Sequence, residues 1–140
     1  MDLKNLINSI KYSENNSIIF NIDGIILYND FLLTKPAEIF YYLLTKGYKI
    51  YIITSRIGYD SNINKTINQF KKRGIIGYEK IYFMKEGEDP ILSKEDARKD
   101  IINSGMKIIM SIGNDKGDHG KYSGIGIKVI NNGEDFIKIK

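Results

Sequence analysis

Residues 18–24 read Ile-Ile-Phe-Asn-Ile-Asp-Gly, an apolar run that ends in polar residues and a glycine. An apolar run bounded by turn residues predicts a strand that is buried on both faces of a sheet. Asn21 and Asp23 would then stand at the carboxyl end of that strand, where functional residues gather in parallel α/β sheets. This stretch therefore indicates both the class of fold and the position of the site.

Short apolar strands alternate with helical segments along the rest of the chain, which predicts βαβ units and a parallel sheet. The predicted strands are residues 17–22, 48–54, 80–84, 107–112 and 126–130, with a further short strand near 136–140. We expect a single domain spanning residues 1–140, a three-layer α/β/α sandwich around a mainly parallel, five-stranded, Rossmann-like sheet. The βαβ pattern with right-handed crossovers places the strand at 17–22 in the centre.

Local signals predict where the helices begin and end. Residues 3–10 have the pattern of a short amphipathic helix, and residues 28–35 are predicted to form a loop. The other signals are Pro36 in a first turn, Gly47 as a left-handed cap, Asp60 or Ser61 as an N-cap, and Ser93 with Asp96 as a capping box.

The composition is that of an ordinary soluble globular domain, with 42% hydrophobic and 27% charged residues. The absence of cysteine excludes disulfides and Cys-ligated zinc, and the single histidine, His119, is predicted to be a loop residue. No apolar run reaches the roughly 18–20 residues of a membrane span, and the first residues lack a signal-peptide core, so we expect an intracellular protein. The net charge is +4 with scattered lysines, and the basic run at 71–73 is predicted to be a solvated helix end rather than a nucleic-acid patch.

Four segments, in order along the chain, resemble the motifs of the haloacid dehalogenase (HAD) superfamily of phosphatases. They are residues 21–24 (Asn-Ile-Asp-Gly), residues 53–56 (Ile-Thr-Ser-Arg), Lys94 near a helix start, and residues 113–118 (Gly-Asn-Asp-Lys-Gly-Asp). Residues 35–118 most resemble the acid-phosphatase branch, which has a similar Thr-x-Arg, a Lys-x-x-x-Arg helix and an Ile-Gly-Asp-x-x-x-Asp turn. The resemblance implies a HAD-like fold, and the short segments at 28–35 and 85–92 leave no room for a cap domain.

The resemblance also implies catalytic roles. In the family the first Asp of motif I attacks phosphorus and the second acts as general acid and base, and these positions are Asn21 and Asp23 here. The Thr54 hydroxyl would bond a phosphoryl oxygen, and the Lys94 ammonium would offset negative charge on nucleophile and phosphate. The phosphate-binding set that the resemblance implies is Thr54, Ser55, Lys94 and Gly24.

The sequence departs from the family where the chemistry is decided. The Mg²⁺ positions that the resemblance implies are Asn21, Asp23, Asn114 and Asp118. Two of them, Asn21 and Asn114, carry a neutral amide where the family has Asp, and Ile25 stands where the family usually has Thr. A carboxamide has almost no nucleophilic power and no charge for Mg²⁺, so we expect weak or absent Mg²⁺ binding. A register shift of one residue would instead put Asp115 in the ligand position.

The preferred hypothesis is therefore a catalytically impaired or inactive HAD-like protein that serves in binding or structure, with no cofactor. The first alternative is an active Mg²⁺-dependent phosphatase that uses Asp23 and a displaced carboxylate. The second is a relative of polynucleotide 3'-phosphatases that uses surface lysines, and the third is a flavodoxin-like module, although the phosphate loop expected of it after the first strand is missing. The substitutions arose either by natural decay, which three departures at one site favour, or by engineering of a substrate trap. An uncovered site suits a large partner, such as a protein or a nucleic-acid end.

Overall fold

Helices and strands alternate along the chain in the computed structural model, which describes residues 1–140. The elements are, in order, α1 (Leu3–Ser9), β1 (Asn16–Phe20), β2 (Leu27–Tyr28), β3 (Phe31–Leu32), α2 (Thr34–Thr45), β4 (Lys49–Ile57), α3 (Asp60–Arg73), β5 (Lys80–Met84), α4 (Pro90–Asn103), β6 (Lys107–Ile112), β7 (Ile125–Ile130), a 3₁₀ turn (Asn131–Gly133) and β8 (Asp135–Lys138).

The main sheet has six strands in the order β5-β4-β1-β6-β7-β8. The first five of these pair in parallel, and β8 alone pairs antiparallel with β7. The predicted mainly parallel sheet with β1 in a central position is confirmed. The strand predicted near the C-terminus also joins the sheet, so the count is six rather than five.

Helices cover both faces of the sheet, as expected for three layers. On one face, Ile18 and Phe20 of β1 share a core with α1, α2 and Phe70 of α3. On the opposite face, Ile19 packs in a smaller core with Ala97 and neighbouring residues of α4. Successive residues of a strand point to opposite faces, so a continuous apolar run is needed to fill both cores.

The segment at 28–35 is not the loop that the sequence predicted. It contains most of a two-stranded hairpin, β2–β3, and the first residues of α2. Leu27 is buried and pairs with Leu32, while Tyr28 and Phe31 pair on the exposed face. Asn29 in the turn has φ +54°, a left-handed conformation that Asn tolerates and short hairpin turns use. Alternation over only two residues per strand is too short to recognise in the sequence.

Two predicted helix starts were wrong. α3 begins at Asp60 after Tyr59, and no side chain caps it. α4 begins four residues earlier than expected, because Asp89 accepts a hydrogen bond from the Leu92 amide and Pro90 follows in the first turn. Ser93 and Asp96 therefore lie inside the helix and do not form the predicted capping box.

None of the helices has both the length and the hydropathy that a membrane span requires.

Candidate functional site

Three neighbouring strands and one helix bring the predicted site residues together. Asn21 follows β1, Thr54 lies in the second half of β4, and residues 113–118 follow β6. β1 pairs with both β4 and β6. The backbone N–H of Asn21 continues the pairing with β6, because it donates to the Ile112 carbonyl at 3.0 Å. Lys94 reaches the same place from α4.

The Asn21 side chain lies at the centre of a hydrogen-bond network. Its Oδ1 accepts from the Ile22 amide at 2.8 Å, which fixes the orientation of the carboxamide. Its Nδ2 consequently points to two carboxylates and donates to Asp115 Oδ2 at 2.8 Å and to Asp118 Oδ2 at 3.3 Å. The atom that faces the acidic pair is therefore a donor, whereas an Asp at this position would present a second acceptor oxygen.

Lys94 completes this network from the side of α4. The residue is 1% exposed, and its Nζ lies 2.5 Å from Asp118 Oδ1 and 3.8 Å from Asp115 Oδ2. Asp118 is buried as well and also accepts from the Asp115 amide at 2.8 Å. One ammonium against two carboxylates leaves a formal charge of −1, so this cluster does not attract a phosphate dianion by its charge.

The Asn114 side chain does not join this cluster. Its Nδ2 donates to the Val129 carbonyl and its Oδ1 accepts from the Val129 amide, both at 2.8 Å. The carboxamide bonds the Val129 backbone through one N–H and its oxygen, as a peptide group would, so it extends the β6–β7 pairing beyond Ile112. Asp115, the neighbour to which a register shift would give the ligand role, is the residue that lies beside Asn21.

The donor set in this arrangement does not fit Mg²⁺. A bound Mg²⁺ needs oxygen ligands in near-octahedral geometry. Asp115 and Asp118 supply carboxylates, but the amide nitrogen of Asn21 and the ammonium of Lys94 point at them, and Asn114 is bonded elsewhere. No group of three acidic or histidine side chains surrounds a common point. Two N–H donors thus occupy the carboxylates that a cation would otherwise bridge.

Asp23 is held by an arginine in a second cluster. Arg56 donates to both carboxylate oxygens, from Nε at 3.0 Å and from Nη2 at 2.7 Å. The remaining guanidinium nitrogen donates to Thr66 and Gln69 of α3 at 2.9 and 2.8 Å. The bidentate pair engages both oxygens of Asp23, for which the sequence resemblance implied the role of general acid. The Thr-Ser-Arg signal did not show that Arg56 would bind Asp23.

The other predicted phosphate-binding residues lie on the same edge of the sheet. Thr54 is 2% exposed, and its hydroxyl accepts from the Arg56 amide at 3.1 Å. Ser55 is half-buried beside it. Gly24 has φ +76°, a conformation that favours glycine, and its amide bonds the Leu27 carbonyl to close the turn after β1.

Arg98 fixes the loop that carries Asp118. This buried residue donates from Nε to the Lys121 carbonyl at 2.6 Å and from Nη1 to the Gly117 carbonyl at 2.7 Å. Burial lowers the pKa of its guanidinium, and the nearby carboxylates of Asp118 and Glu95 offset part of that shift. The Lys-x-x-x-Arg spacing places Lys94 and Arg98 one turn apart on the face of α4 that meets this loop.

A broad groove opens beside the Asp23–Arg56 pair. Its volume is about 930 Å³, and none of its lining residues is hydrophobic. The groove runs along α3 toward the turn of the β2–β3 hairpin. Its lining residues are Asp23, Asn29, Asp30, Arg56, Asn62, Lys65, Thr66, Asn68, Gln69 and Lys72.

A capless parallel α/β fold with these motifs at its strand ends defines a phosphatase-type domain of the HAD class. Residues 29–139 match the HAD superfamily, subfamily IIIB (Acid phosphatase), and the chain belongs to that family. The matched range begins after residues 21–24, so it does not include Asn21. No curated protein matches the sequence significantly.

Two solved structures show the same fold. One is titled the structure of the Pnkp1/Rnl/Hen1 RNA repair complex, with a TM-score of 0.63 and 15% identity, covering 74% of this chain and 37% of that chain. The other is titled the structure of the Pnkp1/Rnl/Hen1 complex, with a TM-score of 0.69 and 15% identity, covering 81% and 46%. This chain therefore spans less than half the length of the chains it resembles.

Proposed function

We propose that this chain is a catalytically inactive member of its phosphatase family that acts as a binding module for a macromolecule. The observation that carries the proposal is the contact of the Asn21 amide nitrogen with Asp115 and Asp118. At the position of the nucleophile, the side-chain nitrogen is a donor held by two carboxylates, and the side-chain oxygen accepts from the Ile22 amide. A carboxamide oxygen has almost no nucleophilic power toward phosphorus.

The charges around Asn21 support the same conclusion. Phosphoryl transfer depends on positioning and on positive charge at the phosphoryl oxygens. Lys94 is buried against Asp118, and Arg56 is committed to Asp23. The two cations beside Asn21 and Asp23 are thus already paired with carboxylates.

The open site supports a large ligand. No cap covers the carboxyl edge of the sheet, so a small substrate would stay in contact with water, whereas a macromolecule supplies its own cover. The similar solved structures belong to an RNA repair complex, which favours a macromolecular partner over a small metabolite.

The substitution Asn21→Asp tests the proposal. Aspartate would place three carboxylates around one ammonium, so the variant should unfold at a lower temperature than the wild type without Mg²⁺. Millimolar Mg²⁺ should raise the melting temperature of the variant and leave that of the wild type unchanged. Asn114→Asp is the matched control, because that side chain bonds Val129 and its exchange should create no Mg²⁺ response.

The alternative of an active Mg²⁺-dependent phosphatase is tested by an activity assay on the same purified protein. Wild-type hydrolysis of an aryl phosphate should remain at background with and without Mg²⁺. A Mg²⁺-dependent turnover near the low end of enzyme rates, about 1 s⁻¹, would overturn the proposal and give Asp115 the role of metal ligand.

A further inference from the structure

The geometry points to the groove along α3 as a binding surface for single-stranded nucleic acid, with Tyr28 and Phe31 of the hairpin as the platform on which bases stack. This inference rests on the proposed function, since it names the macromolecule that the inactive domain binds. Four observations on the hairpin and the groove carry it.

The hairpin presents two exposed aromatic rings side by side. Tyr28 and Phe31 are 62% and 72% exposed and directly opposite each other in the β2–β3 pairing. Directly opposite residues share one face of a hairpin, and the other face of this hairpin is already packed by Leu27 and Leu32. The rings therefore serve no core, and stacking of bases on such rings is a common mode of single-strand binding.

The hairpin is held in place over the groove. Its turn residue Asp30 accepts from Gln69 at 3.3 Å and from Arg73 at 3.2 Å, and Arg73 also donates to the Asp30 carbonyl at 2.9 Å. Asn29 and Asp30 line the groove, so the aromatic pair stands at its rim. The platform is thus fixed relative to α3 before any ligand binds, which lowers the entropy that binding costs.

The charges of the groove suit a polyanion. Both acidic residues of the lining are paired with arginine, Asp23 with Arg56 and Asp30 with Arg73. Lys65 and Lys72 are exposed and make no salt bridge, so they are the free charges of the surface. Seven residues of helix separate them by roughly 10 Å along the axis and return to nearly the same face. Two phosphates of one strand can therefore be bound on the same side of α3.

The polar lining distinguishes a nucleic acid from a docked helix. The stripe Asn62, Lys65, Gln69 and Lys72 follows helical spacing but has no apolar member. A partner helix would need an apolar face to bury, whereas a hydrated backbone of phosphates and sugars binds to amides and lysines.

The experiment measures fluorescence anisotropy of a labelled 12-mer single-stranded RNA with 3'-hydroxyl ends, titrated with the full chain in EDTA. A matching single-stranded DNA is titrated in parallel, and binding of either strand supports the inference. EDTA and the absence of a phosphomonoester separate this readout from the activity assay. Phosphatase activity would overturn the proposed function and leave the groove result standing. Absence of binding of either strand by the wild-type chain would overturn the inference about the groove and leave the inactive reaction centre standing.

Three variants locate the surface. Lys65→Gln with Lys72→Gln should weaken binding and lower the slope of log affinity against log salt by about 1.4, for two lost phosphate contacts on a single strand. Tyr28→Leu with Phe31→Leu keeps apolar surface but removes the π faces, and should weaken binding about fivefold or more with an unchanged salt slope. Lys71→Gln with Lys107→Gln removes the same charge outside the groove and should leave most of the affinity.

Two further results would overturn the inference. One is an equal loss of affinity in the groove and control lysine variants, which would mean attraction by net charge alone. The other is a combination of two findings: polyglutamate displaces the labelled RNA as well as unlabelled RNA does, and the Tyr28→Leu with Phe31→Leu variant binds like the wild type. This combination would mean that the groove prefers an acidic polypeptide. Melting temperatures of the three variants should match that of the wild type, because the exchanged side chains are exposed.

Discussion

At the residue scale, single hydrogen-bonding atoms decide the chemistry of the site. Asn21 differs from Asp by one non-hydrogen atom, a nitrogen in place of a carboxylate oxygen. This nitrogen is a donor where the oxygen would be an acceptor, and it bonds Asp115 and Asp118. Asn114 carries the same carboxamide, but its side chain bonds the backbone of Val129 instead. The same type of side chain thus has unrelated partners at the two positions, because each one bonds the groups that surround it.

We predict that His119 makes the stability of the protein depend on pH. Burial lowers the pKa of this imidazole, although the Ile127 and Ser111 backbone bonds and the Asp118 charge oppose the shift and Lys128 adds to it. The unfolded chain therefore binds the proton more readily than the folded protein. The contribution of the neutral imidazole to the free energy of unfolding should be fully present above the ordinary histidine pKa of 6.5. It should be lost as the pH falls through 6.5 toward the lower pKa of the folded protein. Urea unfolding at several pH values between about 7.5 and 5.5 measures this, since carboxylates titrate lower.

His119→Gln is the control for that pH dependence. Glutamine can still donate to the Ile127 carbonyl, which His119 contacts at 3.1 Å, but it does not titrate. The variant should lose the decline in stability between neutral pH and about 5.5. Because the chain has one histidine, an unchanged decline would assign the effect to other groups.

At the scale of elements, α4 and the loop after β6 form one unit. Lys94 binds Asp118 from the helix, and Arg98 bonds the carbonyls of Gly117 and Lys121 on either side of that carboxylate. Lys94 and Arg98 are four residues apart in α4, so both side chains lie on the buried face of the helix.

Arg98→Lys should lower the free energy of unfolding by about 1–3 kcal/mol, because a lysine can bond one of the two carbonyls and leaves the other without a donor. Urea unfolding measures the difference. Lys99→Arg is the matched control on the exposed side of the same helix and should stay within about 0.5 kcal/mol of the wild type. Equal stability of Arg98→Lys and wild type would show that the loop does not depend on the guanidinium.

At the scale of the whole molecule, the sheet joins distant parts of the chain into one core. β8 pairs antiparallel with β7 at the far edge of the sheet, and its Phe136 is 5% exposed within the larger core. That core also contains Leu3 and Ile7 of α1, so both ends of the chain belong to it. We therefore predict that residues 1–140 unfold as a single cooperative unit.

Phe136→Ala should lower the unfolding free energy by about 3–5 kcal/mol, which is typical of a truncated core aromatic. Far-UV and near-UV circular dichroism should report the same transition. Ile137 lies on the opposite face of β8 and is 40% exposed. Ile137→Ala should therefore lower the unfolding free energy by less than about 1 kcal/mol. Two separate transitions, or equal effects of both substitutions, would contradict the prediction of one cooperative domain.

The sequence predicted the class of fold, the central strand and the edge of the sheet that carries the site. These follow from the local periodicity of apolar residues and from the rule that parallel strands end on the same side. It did not predict the β2–β3 hairpin, the start of α4 at Pro90, or the turning of Asn114 toward Val129. Pairing of Asn21 with Asp115 or of Arg56 with Asp23 joins residues far apart in the chain. Such pairs depend on how the elements pack, because a polar side chain bonds whichever donors and acceptors the packed elements place beside it.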